Sequence, residues 1–295
     1  MSSDAKMSFW DHLDELRKVL FRIVGVLMVL TVAAFFFKEP LFNFIFGPLN
    51  SDFVLYRGFD KLLGLIGLKG VDNFDIKVMN IEMSAQFFTH LKVSFFVALI
   101  VGMPFFFYEL WTFIRPALYP KEKAAVRGTF GFAGILFYLG LACGYFLVLP
   151  LTVKFLGTYQ VSPDIPNEIS LTSYIGMFLG LILVMGIVFE MPILAALLSR
   201  VGLISKELLK KYRRHAVVIL VILAAIITPS GDAFTMMIVA IPLYLLYEFS
   251  IMVCRSEKDQ NKESEDEEYE DYEEMDEDES DVDDHSLTEA GEAGE

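Results

Sequence analysis

Ala216-Val-Val-Ile-Leu-Val-Ile-Leu-Ala-Ala-Ile-Ile227, then Thr228-Pro229-Ser230-Gly231-Asp232, then Ala233-Phe-Thr-Met-Met-Ile-Val-Ala-Ile-Pro-Leu-Tyr-Leu-Leu-Tyr247: this stretch decides the fold. It is two apolar runs broken by a cluster of turn formers. A bilayer crossing needs about 20 apolar residues. The first run has about twelve, so by length alone it also fits a re-entrant segment. Read as two short helices in a tight hairpin, the pair gives an even number of crossings. Read as one re-entrant segment and one crossing, it gives an odd number. Upstream, four runs are long enough to cross: Val19–Phe37, Val93–Trp111, Gly128–Leu151 and Tyr174–Leu198. Val19–Phe37 is too long for a secretory h-region, and no small-residue cleavage pattern follows it, so it reads as a retained helix.

Charge chooses between the two counts. Segments 1–22, 112–127, 199–215 and 253–295 hold 17 Lys and Arg, against 7 in the alternate segments. Six of those seven are spread over the long segment 38–92, where charge weighs little. The dense basic segments fall on one side only if there are six crossings. The expected fold is therefore an all-α, polytopic membrane protein of six transmembrane helices, the last two short, with both termini cytosolic. Segment 38–86 should carry short interfacial helices, and 152–172, with Pro163 and Pro166, should be extended.

Composition divides the chain at residue 255. The whole chain is 55% apolar with net charge −15 and a mean hydropathy of +0.50. Residues 256–295 carry 21 acidic residues against two Lys, leaving 1–255 at +4. A six-helix domain over 1–255 and a disordered acidic cytosolic tail over 256–295 are expected. No Walker motif, metal-spaced His/Cys cluster or nucleophile elbow occurs. His12, His90, His215 and His285 are scattered, and Cys143 and Cys254 suggest no redox pair. Neither an enzyme nor a cofactor is supported.

Four features stand out. The first is Met7-Ser-Phe-Trp-Asp-His-Leu-Asp-Glu-Leu-Arg-Lys-Val-Leu20, with Phe9, Leu13, Leu16 and Leu20 on one helical face and Asp11, Asp14, Glu15 and Lys18 away from it. It reads as an amphipathic helix on the membrane surface, running into the first span. A plain interfacial anchor is the simplest account, but anionic lipid favours Lys and Arg, so its acidic content motivates a binding role for Glu15. The second is Trp111-Thr-Phe-Ile-Arg-Pro-Ala-Leu-Tyr-Pro-Lys-Glu-Lys123, whose two prolines fix the backbone. It suits either a helix connection or the docking of an extended peptide. The third is Glu190, inside the fourth run and followed by Pro192. A carboxylate there costs about 2.5–3.5 kcal/mol on insertion scales, so it faces protein or a wet cavity. Alternatively it bonds, protonated, to a bend that Pro192 leaves with a free carbonyl. The fourth is Thr228–Asp232, where Asp232 suits the cap of the last helix.

Together these residues resemble the TatC family, the receptor subunits of the twin-arginine protein translocase. The resemblance is carried by His12-Leu13-x-Glu15-Leu16-Arg17, by Phe113-Ile-Arg115-Pro116-Ala-Leu118-Tyr119-Pro120-x-Glu122-Lys123 and by Phe189-Glu190-x-Pro192. Thr228-Pro229 with Asp232 and Ile241-Pro242-Leu-Tyr244-Leu-Leu-Tyr247-Glu248 complete it. It spans about residues 8–252. It implies a glove-like helical scaffold in the bacterial inner membrane that binds twin-arginine signal peptides of folded precursors. Single-span TatA/TatB-type subunits, further copies of itself and membrane lipid are the implied partners, with no nucleic acid. Carried over residue by residue, Glu15 and Glu122 would meet the signal's arginines, with Arg17, Phe113, Arg115, Pro116 and Leu118 shaping the site. Glu190 would face the intramembrane cavity, and Pro48 would order the first outer loop. Thr228, Pro229, Asp232 and Met236 would be structural or contact a partner subunit. Here the chain departs from the pattern: the hairpin turn is one residue longer, and Met236 replaces a polar Gln. A proton-coupled solute transporter is the competing reading, opposed by the lack of internal repeat and by a single intramembrane carboxylate.

Overall fold

A computed structural model describes residues 9–65, 74, 76–115, 120–162, 167–200, 202–228 and 231–256; the side chains of 9, 11–12, 59–60, 62–65, 120–127 and 129–130 are outside the description. The expected acidic tail, and the sites at Pro116, Leu118 and Pro229, lie outside the described residues.

The first element, α1 (Phe9–Phe35), is one unbroken helix. The amphipathic stretch was expected to run into the first span, and no break separates the two. No proline occurs in it, and its first glycine is Gly25, so nothing in the sequence interrupts the hydrogen-bond ladder. Next come α2 (Lys38–Phe46), a 3₁₀ turn (Gly47–Leu49) and α3 (Val54–Leu65), the short helices anticipated in this segment. Strand β1 (Val78–Met79) leads into α4 (Ala85–Ile114).

The third crossing is longer than its apolar run suggests. Helix α5 (Pro120–Cys143) passes through a wide π-turn, Gly144–Val148, into α6 (Leu149–Thr158). Pro150 has no N–H to return to the preceding turn, which accounts for the local unwinding. The expected extended segment thus shrinks to the residues after Thr158. It ends in β2 (Ile169–Ser170), paired in parallel with β1.

The fourth crossing bends as Pro192 requires. Helix α7 (Leu171–Val188) and α8 (Met191–Arg200) are separated at Phe189–Glu190. A short α9 (Lys206–Lys211) leads into α10 (Arg213–Ile227) and α11 (Ala233–Val253). The first of this pair is short, at 15 residues. The second is not: α11 has 21 residues and continues through Pro242 and past Glu248. The charge of Glu248 does not end the helix because Arg213 neutralises it at 2.8 Å and the Tyr244 hydroxyl donates to it at 3.0 Å. Among the described residues five helical segments are long and apolar enough to cross a membrane, and α10 is not one of them.

The helices alternate in direction. Phe35, at the end of α1, stacks on His90 near the start of α4 at 4.0 Å, while Arg22 pairs with Glu109 near the end of α4. The two helices are therefore antiparallel. We call the end holding residues 9–22 proximal and the other end distal. Helix α11 begins distally, where Phe234 meets Phe155 of α6 at 4.3 Å. It finishes proximally, where the Arg255 amide donates to Ser199 Oγ at 2.9 Å and the Lys206 amide donates to the Arg255 carbonyl at 3.0 Å.

Two devices hold the bundle. The first is close packing of α5 against α7. A Cβ on Gly140 would lie 2.7 Å from the Met185 carbonyl and from Phe189 Cβ, and one on Gly186 would lie 2.8 Å from the Phe137 ring. Lipid supplies no hydrophobic drive between helices, so such contacts must come from backbones that approach closely. The second is a set of tyrosines at the distal end. Tyr145 donates to the Phe44 carbonyl at 2.7 Å, Tyr174 to Ile45 at 2.6 Å, and Tyr56 to Pro150 at 2.7 Å and Pro48 at 3.2 Å. Pro48 is buried with them. Burial pushes the Tyr56 hydroxyl well above the usual phenol range.

Gly186→Leu should lower the thermal unfolding midpoint in detergent micelles more than Gly176→Leu, whose added Cβ meets nothing. The overpacking cost is about 1–3 kcal/mol. Tyr56→Phe should cost about 0.5–1.5 kcal/mol by removing the buried hydroxyl that bridges Pro48 and Pro150, measured by the same unfolding assay.

Candidate functional site

The proximal end brings together the start of α1, the end of α4 and the start of α5. Glu15 lies on α1, partly exposed, with Lys18 Nζ 3.2 Å from Oε2 and Arg22 Nη2 3.6 Å from Oε1. These partners fall three and seven residues along the same helix, one and two turns away, so all three share a face. Arg17 lies off this cluster; it is exposed, with its guanidinium over the Phe21 ring at 5.7 Å. Phe113 is half-buried and Arg115 is exposed at the end of α4. Glu122 lies in the first turn of α5, and its side chain is outside the described residues.

The cluster contains a residue that sequence reasoning missed. Glu109 of α4 is only 4% exposed, and its Oε2 lies 2.9 Å from Arg22 Nη2. Arg22 thus spans two carboxylates on two helices. The earlier count of one intramembrane carboxylate was too low. Glu109 falls near the end of the run Val93–Trp111 and Arg22 near the start of Val19–Phe37. Opposite charges at the facing ends of two antiparallel helices were the available signal, but the antiparallel pairing itself was not visible in sequence.

Glu190 stands at the break between α7 and α8. It makes no hydrogen bond to that bend; instead its Oε1 is buried without a partner among the described residues. The Glu190 carbonyl takes the amides of Ile193 and Leu194, both at 3.0 Å, and restarts the helix. Beside it runs an apolar groove between α5–α6 and α11, about 670 Å³, lined by residues including Phe132, Phe189, Ile238 and Phe249.

The hairpin turn is explained locally. Asp232 caps α11: its Oδ1 accepts the Thr235 amide at 2.8 Å, and its Oδ2 accepts the Thr235 hydroxyl. Thr228 is buried and donates to the Ala224 carbonyl at 3.0 Å, closing the last turn of α10. Gly231 takes a positive φ of 58°, which a side chain would strain. Met236 is half-buried on α11. Among the described residues no group of His, Cys, Asp and Glu is arranged to hold a metal.

Residues 11–242 match the family model for the Sec-independent protein translocase protein TatC. The chain belongs to the TatC family. It is 39% identical over 254 residues to the TatC protein of Blattabacterium sp. subsp. Periplaneta americana (strain BPLAN), covering 84% of this chain and 95% of that one. The TatC protein of Helicobacter pylori (strain ATCC 700392 / 26695) is 35% identical over 253 residues, covering 86% and 89%. Two crystal structures of the twin-arginine translocase receptor TatC superpose with TM-scores of 0.64 and 0.66 at 32% identity. They cover 82% and 83% of this chain and 97% and 99% of theirs. The chain is accordingly a multi-pass inner-membrane subunit of a protein translocase, and the all-α polytopic fold read from its sequence holds.

Asp232→Ala should lower stability by about 1 kcal/mol while Asp232→Asn largely preserves it. Thermal unfolding of the full chain distinguishes this capping role from one in partner contact.

Proposed function

We propose that this chain is the receptor of its translocase, binding the paired arginines of a precursor's signal peptide at the proximal end, and that this end faces the cytosol. The observation that carries the reading is the placement of Glu15. It sits on α1, whose Arg22 ties it to Glu109 near the end of α4, and Glu122 follows in the first turn of α5. A guanidinium fork satisfies a carboxylate bidentately, which a lysine ammonium cannot reproduce. In this reading Glu15 and Glu122 receive the two arginines, while Arg17, Phe113, Arg115, Pro116 and Leu118 shape the surrounding surface. Loaded receptors then assemble with single-span partner subunits and with further copies of the chain.

The six-crossing topology with both termini cytosolic is part of the proposal. The antiparallel α10 and α11 support it: the Arg213–Glu248 pair ties them proximally, and they meet again at the distal turn 228–232. Helix α10 spans about 22 Å at 1.5 Å per residue, so local thinning of the bilayer or shelter by α7 and α11 accompanies it. The acidic segment 256–295 then projects into the cytosol, away from anionic lipid.

Glu15→Gln and Glu122→Gln should each weaken binding of an Arg-Arg signal peptide by about tenfold or more, the scale of one charge-assisted hydrogen bond. Binding of the Lys-Lys counterpart should change far less. Fluorescence anisotropy with the full chain in nanodiscs measures both, and equal losses for the two peptides would refute bidentate recognition.

A further inference from the structure

We propose that Arg22 is a resident competitor for the guanidinium that Glu15 receives, and that Glu109 sets the strength of this competition by holding Arg22 partly away. The inference rests on the reading of Glu15 as a signal-binding residue.

Both oxygens of Glu15 already face cations of its own helix. Lys18 is exposed and one turn away, a pair that solvent screens and a ligand displaces readily. Arg22 is different because a second helix fixes it. Glu109 is buried, so water cannot replace a counterion there, and a carboxylate in that position needs a fixed cation. Arg22 lies at 2.9 Å from Glu109 and 3.6 Å from Glu15. Its guanidinium lies between both carboxylates at ion-pair distance, nearer Glu109, without a hydrogen bond to Glu109 Oε2.

An incoming arginine must therefore exchange with an arginine already present. Competition of like with like raises the threshold for every cation. It penalises a lysine most, because an ammonium offers a point charge where the displaced group offered a planar fork. Discrimination gained this way comes from what the site denies to the wrong ligand rather than from new contacts with the right one.

The arrangement predicts effects of opposite sign at adjacent positions. Glu109→Gln releases Arg22 to close on Glu15, and affinity for an Arg-Arg peptide should fall by about threefold, the scale of a partly exposed ion pair. The double variant R22Q/E109Q removes the competitor without stranding a buried charge, and affinity should rise by about threefold. The ratio of Arg-Arg to Lys-Lys affinity should narrow in the double variant. The measurement is peptide anisotropy with the full chain in nanodiscs, with thermal unfolding run alongside. If either variant does not fold, Arg22→Lys carries the test: one ammonium serves Glu109, leaves Glu15 open and should raise affinity. Shifts of the same sign in E109Q and R22Q/E109Q, no shift in either, or unchanged or weaker binding in R22K would overturn the proposal. Glu15→Gln, measured in parallel, separates the two levels. Unchanged Arg-Arg binding there refutes the site itself, whereas weakened binding without the opposite shifts refutes only the competitor.

Discussion

A backbone carbonyl at membrane depth must find a donor inside the protein, and this one demand organises the distal half of the molecule. The chain between α1 and α4 breaks after α2, where Gly47-Pro48-Leu49 forms a 3₁₀ turn over the helix end. Such a segment is tolerated next to lipid only if its freed carbonyls are satisfied. Tyr145, Tyr174 and Tyr56 add hydroxyl donors to the Phe44, Ile45 and Pro48 carbonyls of this segment, beside the Gly47 amide that Phe44 also accepts, and Tyr56 reaches on to Pro150 of α6, across gaps of up to 129 residues. The rings pack as they donate: Tyr145 stacks on Phe44 at 4.1 Å, and Phe53 meets the edge of Tyr56 at 6.1 Å. Hydrogen bonding and apolar burial are thus delivered by the same side chains. The two-residue ladder between β1 and β2 extends this cap to the segment before α7.

The proximal end meets a different requirement. There the helices end near water, and the side chains at issue are ionic rather than phenolic. A rigid distal cap fixes where α1 and α4 begin their antiparallel run, and that run determines which residues face each other at the far end. Arg22 meets Glu109 at one end of the antiparallel pair and Phe35 meets His90 at the other, 13 residues along α1 and 19 along α4. Small residues between α5 and α7 lock the remaining spacing. Glu15 and Glu109 therefore sit on a frame set by helix packing rather than by local sequence.

Legibility in the sequence differed sharply between elements. The long apolar runs were unambiguous because lipid imposes a minimum length on each crossing. The bend at Glu190 and the cap at Asp232 were equally readable, since proline and Asx residues act on neighbours one turn away. Other features were not. The pairing of Glu248 in α11 with Arg213 in α10 was not legible, because the two lie 35 positions apart in the chain. The third crossing was cut short because nothing in Leu151–Thr158 announces that the helix resumes after the π-turn. Glu109 was passed over because its partner lies 87 positions away in the chain.

By itself the sequence determined the class of protein, the number of apolar runs, the local caps and breaks, and the motifs that resemble one family. Each depends on interactions within a turn or on hydropathy over about twenty residues, and both are written in consecutive positions. Only the tertiary structure decided which charges pair, which carbonyls the tyrosines satisfy and which glycines admit a neighbouring backbone. Those outcomes depend on the relative direction and depth of helices far apart in the chain, which no local pattern encodes. The resident ion pair of Arg22 with Glu109 is the clearest instance: two unremarkable residues in sequence acquire a role because antiparallel packing sets them 2.9 Å apart beside Glu15.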